Sequence, residues 1–420
     1  NLIFSFYFNQ RIKLFVMLRS PAMNKAILAF SGGLDTSVCV KYLQKLHNLD
    51  VITLTVDIGQ DDDFDAIEKI SLNLGAKDHV YMDAKEEFVN EYITPAIKSN
   101  ALYQQNYPLA TAIARPLIAK KAVEIAKKYD ASSIAHGCTG KGNDQIRFDI
   151  TIKSLNPTLN IIAPIRDLNL SRDKEIDFAK ENGIKISEIS KKYSIDKNLW
   201  GRSIEGGILE DLESEPLEDA FEYVKFNNRY VGTIELGFEN GVPISINGTV
   251  KKLSSLINEL NKLAGSYGIG VIDHIEDRVV GIKSREIYEA PAALILIAAH
   301  KDLEKLTLTN HELRFKAIVE EQWSWLAYSG LWLDPLLADL NQFIDKTQER
   351  VSGKIKIKMN NGYYRVIGRE SKFSLYNNNI ATYFSNSTFD QTMAKGFVEL
   401  WGLQSITANK VISNNNMKNG

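Results

Sequence analysis

Short apolar runs alternate with longer amphipathic stretches from Met23 to about Lys185. The apolar runs predict strands at Ala26–Phe30, Val51–Asp57, His79–Met82, Ser132–His136 and Ile161–Pro164. The amphipathic stretches predict helices that begin at Val38 and that span Asp63–Leu74 and Ala110–Tyr129. Because strands that alternate with helices form parallel sheets, the pattern predicts a doubly wound α/β domain.

Beyond about Lys185, hairpin signals replace the alternation of strand and helix. Asn240-Gly241 separates the alternating runs Val231–Phe238 and Val242–Ile246, and Asn361-Gly362 repeats the signal. Helices are predicted near Lys252–Ala264 and Leu336–Arg350. These elements predict a second, α+β domain that has no nucleotide signature of its own.

The two ends of the chain differ from both domains. Residues 1–22 mix aromatic, apolar and basic side chains but lack the uninterrupted apolar stretch and cleavage site of a signal peptide. They are expected to be a non-native or artefactual extension, with Met23 as the start. At the other end, the Asn and Lys content of Thr388–Gly420 predicts partial disorder.

The segment Ser31–Ser37 joins the first predicted strand to its helix and reads Ser-Gly-Gly-Leu-Asp-Thr-Ser. Paired glycines let main-chain N–H groups approach an anion, and the helix N-terminus adds its dipole. The hydroxyls can donate to phosphate oxygens, while Asp35 could cap the helix or help to hold magnesium on a polyphosphate. An ordinary capped turn is the alternative interpretation.

A second glycine-rich loop, His136–Arg147, follows the fourth predicted strand and therefore lies at the same edge of the sheet. If a helix follows Gly142, then Asn143, Asp144 and Arg147 share one face. Such a set can bind both the carboxylate and the ammonium of an amino acid. A surface loop that ends in an Asp144–Arg147 ion pair is the alternative.

Composition narrows the classes of protein. The 420 residues and 44% hydrophobic content allow two or three domains with sizeable cores. Because 50 Lys and Arg nearly balance 52 Asp and Glu, no basic field predicts nucleic-acid binding. Two cysteines exclude a disulfide framework and fit the cytoplasm, and no apolar run is long enough for a membrane span.

The loop Ser31–Ser37 resembles the SGGxDS/T signature of ATP pyrophosphatases, which cut ATP between its α- and β-phosphates. Further blocks extend the resemblance along nearly all of the chain after Met23, and their combination and order are similar to the argininosuccinate synthase family. These blocks are YPLATAIARP at 107–116, HGCTGKGNDQIRF at 136–148, YSIDKNL at 193–199, EGGILE at 205–210, EDR at 276–278, KSREIYE at 283–289 and GRES at 368–371.

The resemblance implies a fold like that of the adenine nucleotide alpha hydrolases and an AMP-forming ligase. Citrulline, aspartate and ATP would give argininosuccinate, AMP and pyrophosphate with Mg²⁺, through a citrullyl-adenylate. It further implies a cytoplasmic homotetramer with a C-terminal arm. The implied domains are an ATP-binding domain at 23–186, a synthetase domain at 187–385 and the arm at 386–420.

The resemblance also implies a role for individual residues. The implied ATP contacts are Ala29, Phe30, Ser31, Gly32, Gly33, Leu34, Asp35, Thr36, Ser37, Val56 and Gly137. The implied aspartate contacts are Thr139, Asn143 and Asp144. The implied citrulline contacts are Tyr107, Asn143, Arg147, Ser194, Ser203, Glu276 and Tyr288.

One position departs from the family pattern. Ala112 follows Thr111 where some members of the family have a serine, so Thr111 or other donors would have to take over that hydroxyl contact.

Two other functions stay open. A tRNA-modifying pyrophosphatase would share the glycine loop but should have a basic face or a cysteine pair. A non-catalytic nucleotide-binding module would have no reason to keep the cluster at 139–147.

Overall fold

The computed structural model describes residues 25–184, 193–216, 218–226 and 231–416. The described residues through Phe373 form one compact unit, and those from Ser374 form a second. The expectation for residues 1–22 falls outside the described residues.

A five-stranded parallel sheet forms the first half of the larger unit. Its strands are β1 (Lys25–Ala29), β2 (Asp50–Asp57), β3 (Asp78–Asp83), β4 (Ser133–Ala135) and β5 (Asn160–Ile162), in the order β3-β2-β1-β4-β5. Every residue of β2 after Asp50 is buried, as in a strand covered on both faces. The sheet confirms the predicted doubly wound α/β fold.

The strand order places a switch point between β1 and β4, because the chain runs outward from β1 to β3 and then returns to the other side. Ligands of doubly wound sheets bind at the carboxyl ends of the strands beside such a point. The loops after β1 and β4 are the two glycine-rich segments of the sequence.

Eight α-helices surround this sheet among the described residues. They are α1 (Leu34–His47), α2 (Phe64–Asn73), α3 (Lys85–Phe88), α4 (Thr94–Lys98), α5 (Ala110–Tyr129), α6 (Asp144–Leu155), α7 (Pro164–Asp167) and α8 (Arg172–Glu181), with a π-helical stretch at Val89–Ile93. Helix α1 begins at Leu34 rather than at Val38, because the glycine turn leads into it directly. Helix α5 has the predicted bounds.

The second half of the larger unit contains two antiparallel sheets. Its strands are β6 (Ser194–Asn198), β7 (Gly201–Glu205), β8 (Val231–Glu239), β9 (Val242–Ile246), β10 (Thr249–Val250), β11 (Val271–Asp277), β12 (Lys283–Glu289), β13 (Gly353–Asn360) and β14 (Tyr363–Glu370). The strand orders are β10-β9-β8-β13-β14 and β11-β12-β7-β6. Helices α9 (Leu253–Ser266), α10 (Pro291–Thr307), α11 (Asn310–Tyr328) and α12 (Pro335–Gln348) complete this half.

Both predicted hairpins are present. Asn240 and Gly241 have φ angles of 49° and 77°, and Asn361 and Gly362 have φ angles of 44° and 82°. Positive φ at both central residues matches the twist of antiparallel strands and explains why Asn-Gly marks these turns.

The smaller unit is helical. It contains α13 (Asn378–Ala381) and α14 (Met393–Asn416). Residues 393–416 of the tail are helical and residues 417–420 lie outside the described residues, so partial disorder of the tail stays a prediction.

The β6–β7 hairpin is fixed to the start of α5. The indole Nε1 of Trp200 donates to the carbonyl oxygen of Pro108 at 2.8 Å, and the amide of Asn198 donates to that of Ala110 at 2.8 Å. Both side chains are almost completely buried. This attachment brings the antiparallel half of the unit to the carboxyl edge of the parallel sheet.

Candidate active site

One cavity of about 740 Å³ lies at the switch point, a volume typical of ligand sites. All the site residues predicted above line it except Gly32 and Ser37. Gly32 forms the turn behind the lining, and Ser37 is buried within α1. The structure therefore brings together residues that lie as far apart in the sequence as Ala29 and Tyr288.

The glycine loop forms one end of the cavity. Gly32 has a φ of +75°, and a Cβ there would lie 3.2 Å from Cγ1 of Ile67, so a side chain would be both strained and crowded. The hydroxyl of Ser31 accepts from the main-chain N–H of Gly33 at 3.3 Å. Within the described part of the chain, no side chain caps α1. The N–H groups of its first turn are thus available to an anion.

Asp35 is engaged by an arginine at this end. Nη1 of Arg172 donates to Oδ1 of Asp35 at 2.5 Å. Glu175 is nearby and buried, and burial followed by the charge of Asp35 raises the pKa of its carboxyl to about 8. No group of three or more His, Cys, Asp or Glu in the described residues could hold a metal ion.

The second loop packs directly against the first. A Cβ on Gly137 would lie 3.3 Å from the main-chain N of Thr36 and from Cβ of Asp35, so only glycine allows this approach without displacement. His136 lies behind the loop, and its Nδ1 accepts from the N–H of Cys138 at 3.3 Å. Its Nε2 is 2.8 Å from Oδ1 of Asp149. Because Nδ1 accepts a hydrogen bond, Nε2 is the ring nitrogen that can donate to Asp149.

The predicted helix after Gly142 is confirmed as α6, and it places Asp144 and Arg147 on one face. Nη1 of Arg147 donates to Asp144 at 2.9 Å, and Nε of Arg115 donates to it at 2.8 Å. Burial acts to raise the pKa of Asp144, but the two guanidinium groups outweigh it and hold that pKa below its usual value. Arg115 also pairs with Asp196 at 2.6 Å. Asp144 is therefore a fixed anion on the wall of the cavity.

The two halves of the unit together form an aromatic wall, to which Tyr107 contributes from the parallel half and Tyr288 from the antiparallel half. The rings of Tyr107 and Tyr288 stack with centroids 3.9 Å apart, and the hydroxyl of Tyr288 donates to Oε2 of Glu276 at 2.6 Å. Ser203 lies opposite Tyr288 in the β7–β12 register. Carboxylate, hydroxyl and aromatic groups together can accommodate a zwitterion with a polar side chain.

Thr111 has a hydroxyl near the position that the sequence left in doubt. It lies 2.8 Å from the hydroxyl of Tyr107 and faces the cavity, whereas Ala112 is fully buried. Thr111 is therefore the hydroxyl residue available at this point of α5.

Sequence analysis did not identify several charged residues that line the cavity. Nη2 of Arg278 contacts the carboxylates of both Glu205 and Glu286, and its Nη1 donates to the carbonyl oxygen of Lys141 at 3.2 Å. Burial, reinforced by the charge of Glu205, raises the pKa of Glu286 to about 9. The EDR and KSREIYE blocks contain Arg278 and Glu286, but nothing in the sequence pairs them.

In the described residues, no helix is long and apolar enough to cross a bilayer.

Comparisons with known proteins extend over nearly the whole described chain. The family model of the arginosuccinate synthase N-terminal HUP domain matches residues 25–185, and that of the arginosuccinate synthase C-terminal domain matches residues 193–408. An argininosuccinate synthase of Pyrococcus furiosus is 54% identical over 387 residues, which cover 91% of this chain and 94% of the relative.

Two further relatives carry the same name. An argininosuccinate synthase of Dictyoglomus turgidum is 56% identical over 382 residues, covering 90% of this chain and 96% of the relative. An argininosuccinate synthase of Saccharolobus solfataricus is 50% identical over 389 residues, which cover 92% of this chain and 99% of the relative. The matches confirm the resemblance found in the sequence: the chain belongs to the argininosuccinate synthase family.

Proposed function

We propose that this cavity condenses citrulline and aspartate to argininosuccinate, using ATP and releasing AMP and pyrophosphate. The observation that carries the proposal is the single cavity that joins the glycine loop to two groups of polar side chains suited to amino acids. An ATP-hydrolysing module would need the glycine loop alone.

The glycine loop would bind the phosphates of ATP. The uncapped N-terminus of α1 offers N–H groups and a positive dipole, and the hydroxyls of Ser31 and Thr36 face the same space. Mg²⁺ usually binds through one or two carboxylates and the substrate phosphates. The carboxylate of Asp35 could provide one such ligand. Bound there, Mg²⁺ would neutralise charge on the phosphate oxygens.

The reaction needs two displacements in one place. The ureido oxygen of citrulline attacks the α-phosphorus, and the bond to pyrophosphate breaks. The amine of aspartate, having lost a proton, then attacks the ureido carbon, and the bond to AMP breaks. Because neither step requires a protein nucleophile, the chain contributes chiefly by alignment, which can supply roughly 7–11 kcal/mol of a barrier.

The second loop and the aromatic wall would hold the two amino acids. Thr139, Asn143 and Asp144 would contact aspartate, and the wall around Tyr107, Glu276 and Tyr288 would contact citrulline together with Arg147, Ser194 and Ser203. Asn143 is proposed to contact both, which would place the aspartate amine beside the activated ureido carbon.

The finer features of the family are proposed for this chain as well. We propose domains at 23–186 and 187–385 and an arm at 386–420, and a homotetramer built partly through α14, which exposes Phe397, Leu400 and Trp401. Cys39 and Cys138 are both free thiols, which fits the cytoplasm. The molecular mass of the purified protein in solution tests the proposed tetramer. Trp401→Ser should shift that mass towards those of smaller assemblies.

The decisive assay follows the nucleotide products. Repeated turnover to AMP and pyrophosphate should require ATP, Mg²⁺, citrulline and aspartate together, with argininosuccinate formed in an amount equal to AMP. Omitting citrulline serves as the control. Release of ADP, or turnover with neither amino acid, would contradict the proposal.

A further inference from the structure

Tyr328, the last residue of α11, is completely buried behind the cavity lining and touches three of the proposed substrate-binding residues. Its hydroxyl lies between the side chains of Asn143 and Glu276. The Nδ2 of Asn143 donates to this hydroxyl at 2.8 Å, and the hydroxyl lies 2.8 Å from Oε1 of Glu276. Nothing in the sequence around Tyr328 singles it out.

The direction of these bonds follows from their chemistry. An amide nitrogen can only donate, so the Tyr328 oxygen accepts from Asn143 and its single proton is free for the carboxylate of Glu276. Burial, and after it the charge of Glu276, raises the pKa of this phenol, so the hydroxyl keeps its proton. The other end of the Asn143 amide accepts from the N–H of Val279 at 2.9 Å. The amide is thus held at both ends.

The main chain of Tyr328 fixes a third residue. Its carbonyl oxygen accepts from Nε and Nη2 of Arg147 at 3.0 and 2.9 Å. The turn after α11 lies close to the main chain of the same arginine. A Cβ on Gly330, where φ is +81°, would lie only 3.0 Å from Cα of Arg147. Arg147 is 4% exposed. Its position is therefore set by α11.

The ring is immobilised as well. It stacks on Tyr103 with centroids 3.5 Å apart, and the hydroxyl of Tyr103 donates to the carbonyl oxygen of Asp277 at 2.7 Å. Tyr103 does not border the cavity described above. A rigid ring places the Tyr328 hydroxyl at one point relative to both Asn143 and Glu276.

We propose that Tyr328 is a positioning residue that sets the citrulline and aspartate contacts relative to each other. The proposal rests on the function proposed above. Through Asn143 the hydroxyl orients the residue assigned to both amino acids, and through Glu276 it orients a contact of citrulline alone. ATP is held by the glycine loop, which Tyr328 does not touch.

The test is Tyr328→Phe, which removes the hydroxyl but keeps the ring stack and the carbonyl bonds to Arg147. We expect kcat/KM to fall about tenfold or more for citrulline and for aspartate, because a buried amide and a buried carboxylate each lose a partner. The KM for ATP should stay close to that of the wild type, and the melting temperature should fall by only a few degrees. Tyr129→Phe, which removes a phenol hydroxyl bonded to Asp78 at the start of β3, away from the cavity, is the matched control and should change kcat/KM by no more than about twofold.

A double variant separates positioning from a general structural role. If Tyr328 acts on aspartate through Asn143, then adding Tyr328→Phe to Asn143→Ala should lower kcat/KM for aspartate much less than it does in the wild type. A fall for citrulline only, equal falls in the two backgrounds, or a parallel rise in the KM for ATP with a lower melting temperature would overturn the proposal. A wild type that forms no argininosuccinate would instead refute the proposed function.

Discussion

Two networks of buried polar side chains use similar residues for different purposes. The core network lies between α10, α11 and α12 and the end of α4, and consists of Asn100, His300, Glu304, Lys316 and Gln348, none more than 3% exposed. Lys316 lies 2.8 Å from Glu304, and both amide side chains donate to the same carboxylate. The substrate-site network consists of Asn143, Arg147 and Glu276, which are buried, and Asp144, whose side chain is 24% exposed, and all four border the cavity.

The difference lies in where the remaining hydrogen-bonding capacity points. In the core network, Glu304 receives Lys316, Asn100 and Gln348, so protein groups surround it. In the substrate-site network, Asp144 is bound by Arg115 and Arg147 yet still faces open space. A closed network determines how helices pack, whereas an open one can exchange partners with a ligand. Substitutions should therefore separate into losses of stability and losses of activity.

The largest effect is expected for Lys316→Met in the core network. The substitution keeps much of the volume but leaves Glu304 and Glu320 without their cation, and breaking a buried ion pair costs about 3–5 kcal/mol. Urea denaturation should show that loss. The KM values of the protein that remains folded should match the wild type, and altered KM values with unchanged stability would reverse the assignment of the two networks.

The sequence predicts these networks unequally. The parallel sheet, α6 and both hairpins follow from local periodicity and turn chemistry, and the Asp144–Arg147 pair follows from helical spacing. The core network joins Asn100 to Glu304 across 204 positions, and Tyr328 meets Asn143 across 185. Such pairs depend on how helices pack in three dimensions, so no local pattern marks them. For the same reason, the blocks that resemble the family contain Arg278 and Glu286 without indicating that the two residues touch.

Asn143→Ala should produce the largest effect on activity in the substrate-site network. It removes the proposed contact to both amino acids and the bonds to Tyr328 and Val279, so kcat/KM should fall about a hundredfold for citrulline and for aspartate. Equilibrium binding of ATP should be nearly intact. Steady-state kinetics with each substrate varied in turn provide the measurement, and unchanged kinetics for either amino acid would remove Asn143 from the role of a shared contact.

Glu286→Gln tests the carboxylates that share Arg278. Burial and the nearby charges of Glu205 and Glu276 outweigh the attraction of Arg278 and raise the pKa of Glu286 from about 4.5 in the unfolded chain to about 9. The folded state thus binds the extra proton, so this group's stabilising contribution is complete below about pH 4.5 and is lost as the pH rises towards 9.

Glutamine mimics the protonated acid at every pH. The variant should gain about 1.4 kcal/mol of stability relative to the wild type between about pH 6 and pH 7, as measured by urea midpoints at both values. Glu370→Gln, on the exposed strand β14, serves as the control and should show no such trend. A constant difference between wild type and Glu286→Gln would mean that Glu286 is already ionised in the folded protein.

Lys346→Met should have the smallest effect and sharpens the comparison with Lys316. Lys346 lies 2.9 Å from Glu349, a distance similar to that between Lys316 and Glu304, but its side chain is 77% exposed. Water already solvates both partners of this pair, so its loss should cost less than about 1 kcal/mol in urea denaturation. If Lys346→Met were as destabilising as Lys316→Met, pairing distance alone would set the strength of these contacts. A small loss of stability for Lys346→Met and a large loss for Lys316→Met would mean that burial, rather than distance, sets the strength of these ion pairs. The charges of the substrate-site network can then bind a ligand because one side of that network is open to the cavity.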